Sequence, residues 1–304
     1  MRRWNKLMSN GLSELLKHKA LNEWRLFWLV FTPISILMIV AMLRTDAWSG
    51  PAVSAMIQLS VRWSVPWLYL AFAASSLQLL FPGAFTRWLL RNRKIMGLCF
   101  AAAMAWQLFF ILWLVTAYSD YYVTEVYVLR DAIEGVVGYS FLIAMTLTSF
   151  KFGRRHLQPK SWRLLHKSGI YFIWAYAYSV YWWELFYYPE AQPIDYVYYW
   201  AGFLAWGLRA AAWRKKRLMQ AGKNAPTMHP LPAFKFLGYA VIAFGIWAAS
   251  FGSVWRTSAT DILTGYAITH LPEKYLPYWP FEPFLPLFVI ALGVYLTARS
   301  RAGR

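Results

Sequence analysis

Histidines, a lone cysteine and a few charges inside apolar runs are the residues of this chain with chemistry to offer. His18, His156, His229 and His270 fall outside the apolar runs, whereas His166 stands between Leu165 and Lys167, just ahead of the run 168–187. A histidine at that depth can be an interfacial group bonded to a loop carbonyl or lipid phosphate. The alternatives to that first reading are an axial ligand of haem iron, and a proton or quinone group. Cys99 is the only cysteine, which rules out a disulfide within the chain, a cysteine-held cluster or a cysteine zinc site. It reads as a small apolar packing residue. Charges inside the spans are few, and Glu184 and Arg209 lie near helix ends, where long side chains snorkel. No G-x-G-x-x-G follows a strand and there is no P-loop, so an electron donor would have to be a partner or a lipid-soluble carrier.

The elements that must carry these residues are hydrophobic helices. Of 304 residues, 59% are apolar, 20% aromatic and 14% charged, against about a quarter charged in a soluble domain. Apolar runs near 24–43, 63–81, 95–117, 135–150, 168–187, 196–213, 235–254 and 284–298 predict an all-α integral membrane protein, a bundle of about eight transmembrane helices. With both termini placed in the cytoplasm, 26 of the 31 basic residues fall on the inner side, and only Arg44, Arg62, Arg130, Arg256 and Lys274 fall elsewhere. That asymmetry orients membrane proteins. The net charge of +18 is therefore topological, with an attraction to anionic headgroups, and points to no nucleic acid.

Residues 1–23 mix Lys, Leu and Trp and predict a cytoplasmic amphipathic arm on the inner leaflet, with a partly ordered tail as the alternative. Residues 24–59 hold the first span and, at 52–61, an apolar piece too short to cross, read as interfacial on the outer side. The inner loops are 82–94, 151–167 and 214–234. Residues 188–304 add further spans and a long outer stretch, 255–283, whose end LPEKYLPYWPFEPF predicts a rigid Pro/aromatic cap at headgroup level.

Two stretches carry more than composition. RNRKIMGLCFAAAMAWQ, 91–107, places basic residues before a small-residue helix opening on Gly-Leu. GYSFLIAMTLTSFKFGRRHLQPKSWRLLHKSGIYFIW, 138–174, runs from a helix ending in Thr-Ser through a basic turn to Trp-x-x-Leu-His. Both resemble the ferric reductase-like transmembrane domain family, of the bacterial haem-binding membrane subunit type. Arg91, Arg93, Gly97, Leu98 and Phe100 match in the first, and Thr148, Ser149, Trp162, Leu165 and His166 in the second. The resemblance covers roughly 60–187, the expected core.

The resemblance implies b-type haems held between imidazoles, one near each leaflet. Ligands on one helix stand about 13–14 residues apart, or ~20 Å at 1.5 Å per residue. By that pattern the outer pair is Gln107 and Ser179, and the inner pair is His166 with Arg93 or Lys94. His, Met, Cys or Tyr ligates haem iron, not an amide, a hydroxyl or a cation. The expectation is thus a ferric reductase-like protein of the bacterial inner (cytoplasmic) membrane that has lost the outer haem and binds no cofactor. It would act as an accessory or lipid/quinone-binding subunit, with the bilayer and a membrane protein as partners. A membrane electron-transfer protein using one b-type haem or quinone is the first alternative, and a small-molecule transporter the second.

Overall fold

The computed structural model describes residues 11, 13–45, 47–224, 229–230, 232–267, 278–279, 281–298 and 300–301. Their regular structure is helical, apart from a two-residue antiparallel ladder pairing His229 with Arg301 and Pro230 with Ser300. The chain divides into two compact units, 1–174 and 175–304.

In the first unit, α1 (Glu23–Leu43) is apolar on every side. It buries Leu26, Val30, Ile34 and Met38, a stripe repeating every fourth residue. It exposes Trp28, Leu29, Ile36 and Leu43, so its outer face is as apolar as its inner one, the pattern of a helix surrounded by lipid or protein. Next, α2 (Gly50–Leu80) starts where the Ser49 hydroxyl accepts from Ala52 N at 3.3 Å, with Pro51 in the first turn. The piece 52–61, set apart from 63–81 as too short to cross, is continuous with it in this one helix, which also runs through Pro66. Short α3 (Ala84–Arg91) leads into α4 (Arg93–Ala117). Ala71 and Ala74 of α2 pack in one cluster with Leu98, Cys99 and Ala103 of α4, small side chains that let two helices approach closely. Trp106 Nε1 donates to Ser35 Oγ at 3.1 Å and ties α4 to α1. Then follow α5 (Leu129–Leu147) and α6 (Pro159–Phe186), and the division between the units falls within α6.

The second unit is built on α7 (Pro193–Asn224), α8 (Pro232–Ser250), α9 (Gly252–Ala267) and α10 (Leu285–Thr297). Its core is aromatic. Tyr178, Trp182 and Tyr199 are wholly enclosed or nearly so, and the Tyr178 and Tyr199 rings stack 5.2 Å apart. Asp195 accepts from Gln192 N at 2.9 Å and caps α7. A Cβ at Gly238 would lie 2.7 Å from Gly293 O, and one at Gly293 would lie 2.7 Å from Gly238 O, so α8 and α10 touch backbone to backbone.

Two expected boundaries differ. The run 235–254 breaks at Phe251, where Gly252 opens α9. The corner is held by Trp255 Nε1, which donates to Ala248 O at 2.8 Å. The outer stretch 255–283 is consequently helical through Ala267, not a loop from its start. Of the expected cap, residues 268–277 and 280 lie outside the described residues, as do 1–10 and 12 of the expected arm, whose remainder is helical at 13–17 and 19–21.

Three of the described helices are long and apolar enough to cross a membrane: Glu23–Leu43, Arg93–Ala117 and Ala233–Ser250. The other runs fall short of that measure for separate reasons. α10 has 13 residues, α7 turns basic after Trp213, and α2 and α6 are diluted by Ser, Tyr and Trp.

Candidate functional site

His166 sits on the second turn of α6, before the apolar run 168–187, and faces the end of α5. Thr148 caps α5, and its hydroxyl donates to Ala144 O at 2.7 Å. His166 Nε2 lies 3.0 Å from that hydroxyl oxygen. One turn earlier on α6, Trp162 Nε1 donates to Thr148 O at 3.0 Å. Two side chains spaced by four residues therefore grip both polar ends of one threonine. Trp162 also lies against the imidazole (centroids 4.3 Å apart), and the Arg154 guanidinium covers the indole at 4.6 Å. Gly153 is required in the intervening turn, because a Cβ there would collide with Leu147 O.

Burial, and then the neighbouring Arg93 and Arg154 cations, pull the His166 pKa down from 6.5 to about 4. The ring is neutral at pH 7. The Thr148 proton is given to Ala144 O, so the network assigns the imidazole hydrogen to Nε2, donating to Thr148 Oγ1. Its expected inner counterparts are engaged elsewhere. Arg93 Nε donates to Ala71 O at 3.0 Å, and Lys94 Nζ lies 5.0 Å over the Phe150 ring.

At the outer positions, Gln107 of α4 is buried, and its Oε1 accepts from the Tyr139 hydroxyl of α5 at 2.8 Å. Ser179 of α6 is also buried, with its hydroxyl returned to Tyr176 O at 2.9 Å. Gln107 and His166 thus each find a polar partner within the first unit, while Ser179 belongs to the second. Among the described residues, no three His, Cys, Asp or Glu side chains gather as a metal site. Two imidazole pairs are what stacked b-type haems need, and an amide, a hydroxyl and one hydrogen-bonded imidazole do not fit that requirement.

Sequence reasoning missed a buried acid. Glu282 is fully enclosed at the start of the turn leading into α10, and Tyr187 donates its hydroxyl to Glu282 Oε2 at 2.7 Å. The Arg256 guanidinium sits 3.7 Å from the centre of the Tyr187 ring. The available signals were Arg256, one of the few basic residues outside the inner loops, and an acid set in the apolar string PFEPF. No spacing rule joins positions 187, 256 and 282. Close by in sequence, the Tyr178 hydroxyl donates to Tyr199 at 3.2 Å, which donates to Ala249 O at 2.8 Å.

No family model, no curated protein and no solved structure matches the chain.

Proposed function

We propose that this chain is a ferric reductase-like bundle of about eight spans, with both termini in the cytoplasm, in a bacterial cytoplasmic membrane. It works without haem, as an accessory, lipid- or quinone-binding subunit of a membrane complex. The observation that carries the reading is His166 Nε2 at 3.0 Å from Thr148 Oγ1. Nε2 is the nitrogen a helix-borne histidine would offer to iron, and here it is engaged with a threonine hydroxyl within the turn. The hydrogen bond from Tyr139 to Gln107 supports the same reading at the outer position, where an internal contact replaces a ligand. Apolar side chains on the exposed face of α1 and the basic loops agree with a lipid setting.

An absorption spectrum of the detergent-purified protein, with and without dithionite, tests this. The expected result is no reducible Soret and α-band pair. A stoichiometric b-type spectrum that disappears in His166→Ala would replace the reading with single-haem electron transfer.

A further inference from the structure

We propose that the junction between the amino-terminal arm and α1 binds an anionic phosphate group, carried by a lipid headgroup or free in solution. A cavity of about 590 Å³ opens there, and Lys17, Lys19, Arg25 and Arg91 converge on it. The one carboxylate in its lining is that of Glu23, so four cations face a single anion. Four exposed like charges around one opening repel each other, and a bound anion relieves that repulsion.

A neutral frame fixes Arg91 and the end of the arm. Asn22 Oδ1 accepts from Arg91 Nη2 at 2.7 Å and from Asn92 Nδ2 at 3.0 Å. Asn22 Nδ2 donates to Leu16 O at 3.0 Å and to His18 O at 2.8 Å, which holds the arm in place. Trp88 Nε1 donates to Leu21 O at 2.7 Å from the other side. Glu23 N donates to Asn92 Oδ1 at 3.0 Å, and Glu23 is kept at φ 55°, a left-handed conformation unusual for its residue type. Arg91 also donates to Leu16 O at 3.2 Å. Its partners in this frame are therefore neutral oxygens, and its charge is positioned without being cancelled. Lys17 meets Glu14 at 2.9 Å in an exposed pair, which screens little.

Phosphate is the anion this lining suits. Guanidinium groups grip two of its oxygens at once and lysines add point charge. The volume leaves room for a glycerol-sized substituent. Trp24, also in the lining, is 48% exposed, as an indole at headgroup depth would be. The headgroup form rests on the membrane placement proposed above; the free-phosphate form does not.

The test is titration calorimetry of the full chain in an uncharged detergent at fixed ionic strength. Dihexanoyl phosphatidylglycerol, dihexanoyl phosphatidylcholine and sodium phosphate serve as probes. Lys19→Gln with Arg25→Gln should weaken binding of the anionic probes by about tenfold or more, the scale of two charges near such a group. Lys19→Arg with Arg25→Lys, which keeps the charge and stays outside the asparagine frame, should bind within about threefold of the parent chain on the same scale. Binding of phosphate assigns the free anion, and binding of phosphatidylglycerol without phosphate assigns the headgroup. Equal binding of the two lipids overturns the proposal, as does an unchanged anion affinity in the folded glutamine variant. Neither outcome depends on whether the protein holds haem.

Discussion

In residues 1–174 three sets of contacts between helices join neutral groups: Tyr139 to Gln107, Trp162 and His166 to Thr148, Trp106 to Ser35. In residues 175–304 the chain encloses an acid completely, Glu282 beneath Tyr187, whose ring lies under Arg256, and brings two helix backbones together at Gly238 and Gly293, whereas the buried acid of the first unit, Glu134, stays beside Arg130 of its own helix. The physics of loss differs between them. A neutral group that loses one partner in apolar surroundings often finds another, so such bonds contribute little net stability. A carboxylate deprived of a donor bears its full desolvation cost, and a backbone contact has no room to yield. The second unit should therefore be the more brittle of the two.

The sharpest break is Gly293→Val. The added side chain would meet Gly238 O and Ile242, and the close α8–α10 contact should cost about 3 kcal/mol, or ~10 °C in the melting temperature of the purified protein. A melt within the error of the parent would show that the two helices do not touch. Tyr187→Phe should come next, at about 2 kcal/mol, because the enclosed Glu282 carboxyl loses a donor. In that background Glu282→Gln should cost less than it does alone, which a double-mutant cycle measures.

A pH series sharpens the other side of the comparison. His166 holds its proton less well when folded, with a pKa near 4 against 6.5. Between those values the unfolded chain binds the proton and the folded one does not. Stability is then complete above pH 6.5 and lost as pH falls toward 4, by about 1–2 kcal/mol once solvent screening is allowed for. His166→Gln should flatten that part of a melting-temperature profile, and a parent profile without the slope would contradict the neutral imidazole. The smallest effect belongs to Tyr139→Phe, at about 0.6–1 kcal/mol. If it matched Tyr187→Phe, the contrast between neutral and charged burial would fail.

How much of this was legible varied with what carried the signal. Long, uniformly apolar helices were read closely: 24–43 became Glu23–Leu43 and 95–117 became Arg93–Ala117. Around proline and glycine, context decided the outcome. Pro66 stays within a 31-residue helix, whereas Phe251–Gly252, an unremarkable pair in an apolar run, makes a corner because Trp255 caps it. At the candidate site, His166, Trp162 and Thr148 all stood in one quoted stretch, since a turn between adjacent helices keeps its partners close in sequence. Tyr139 on Gln107 and Glu282 under Tyr187 join residues 32 and 95 positions apart, separations that local spacing does not encode.

The length of α7 has a mechanical consequence. Its 32 residues form one rod of ~48 Å at 1.5 Å per residue. In the proposed membrane placement the apolar part ends near Trp213, and the part from Arg214 onward projects ~16 Å into the cytoplasm with Lys215, Lys216 and Arg217 exposed on it. Helices tilt when the bilayer thins, and a tilt of about 10° would swing that tip by ~3 Å. In that placement the segment would act as a lever arm, its positive charge moving with the tilt of the rod.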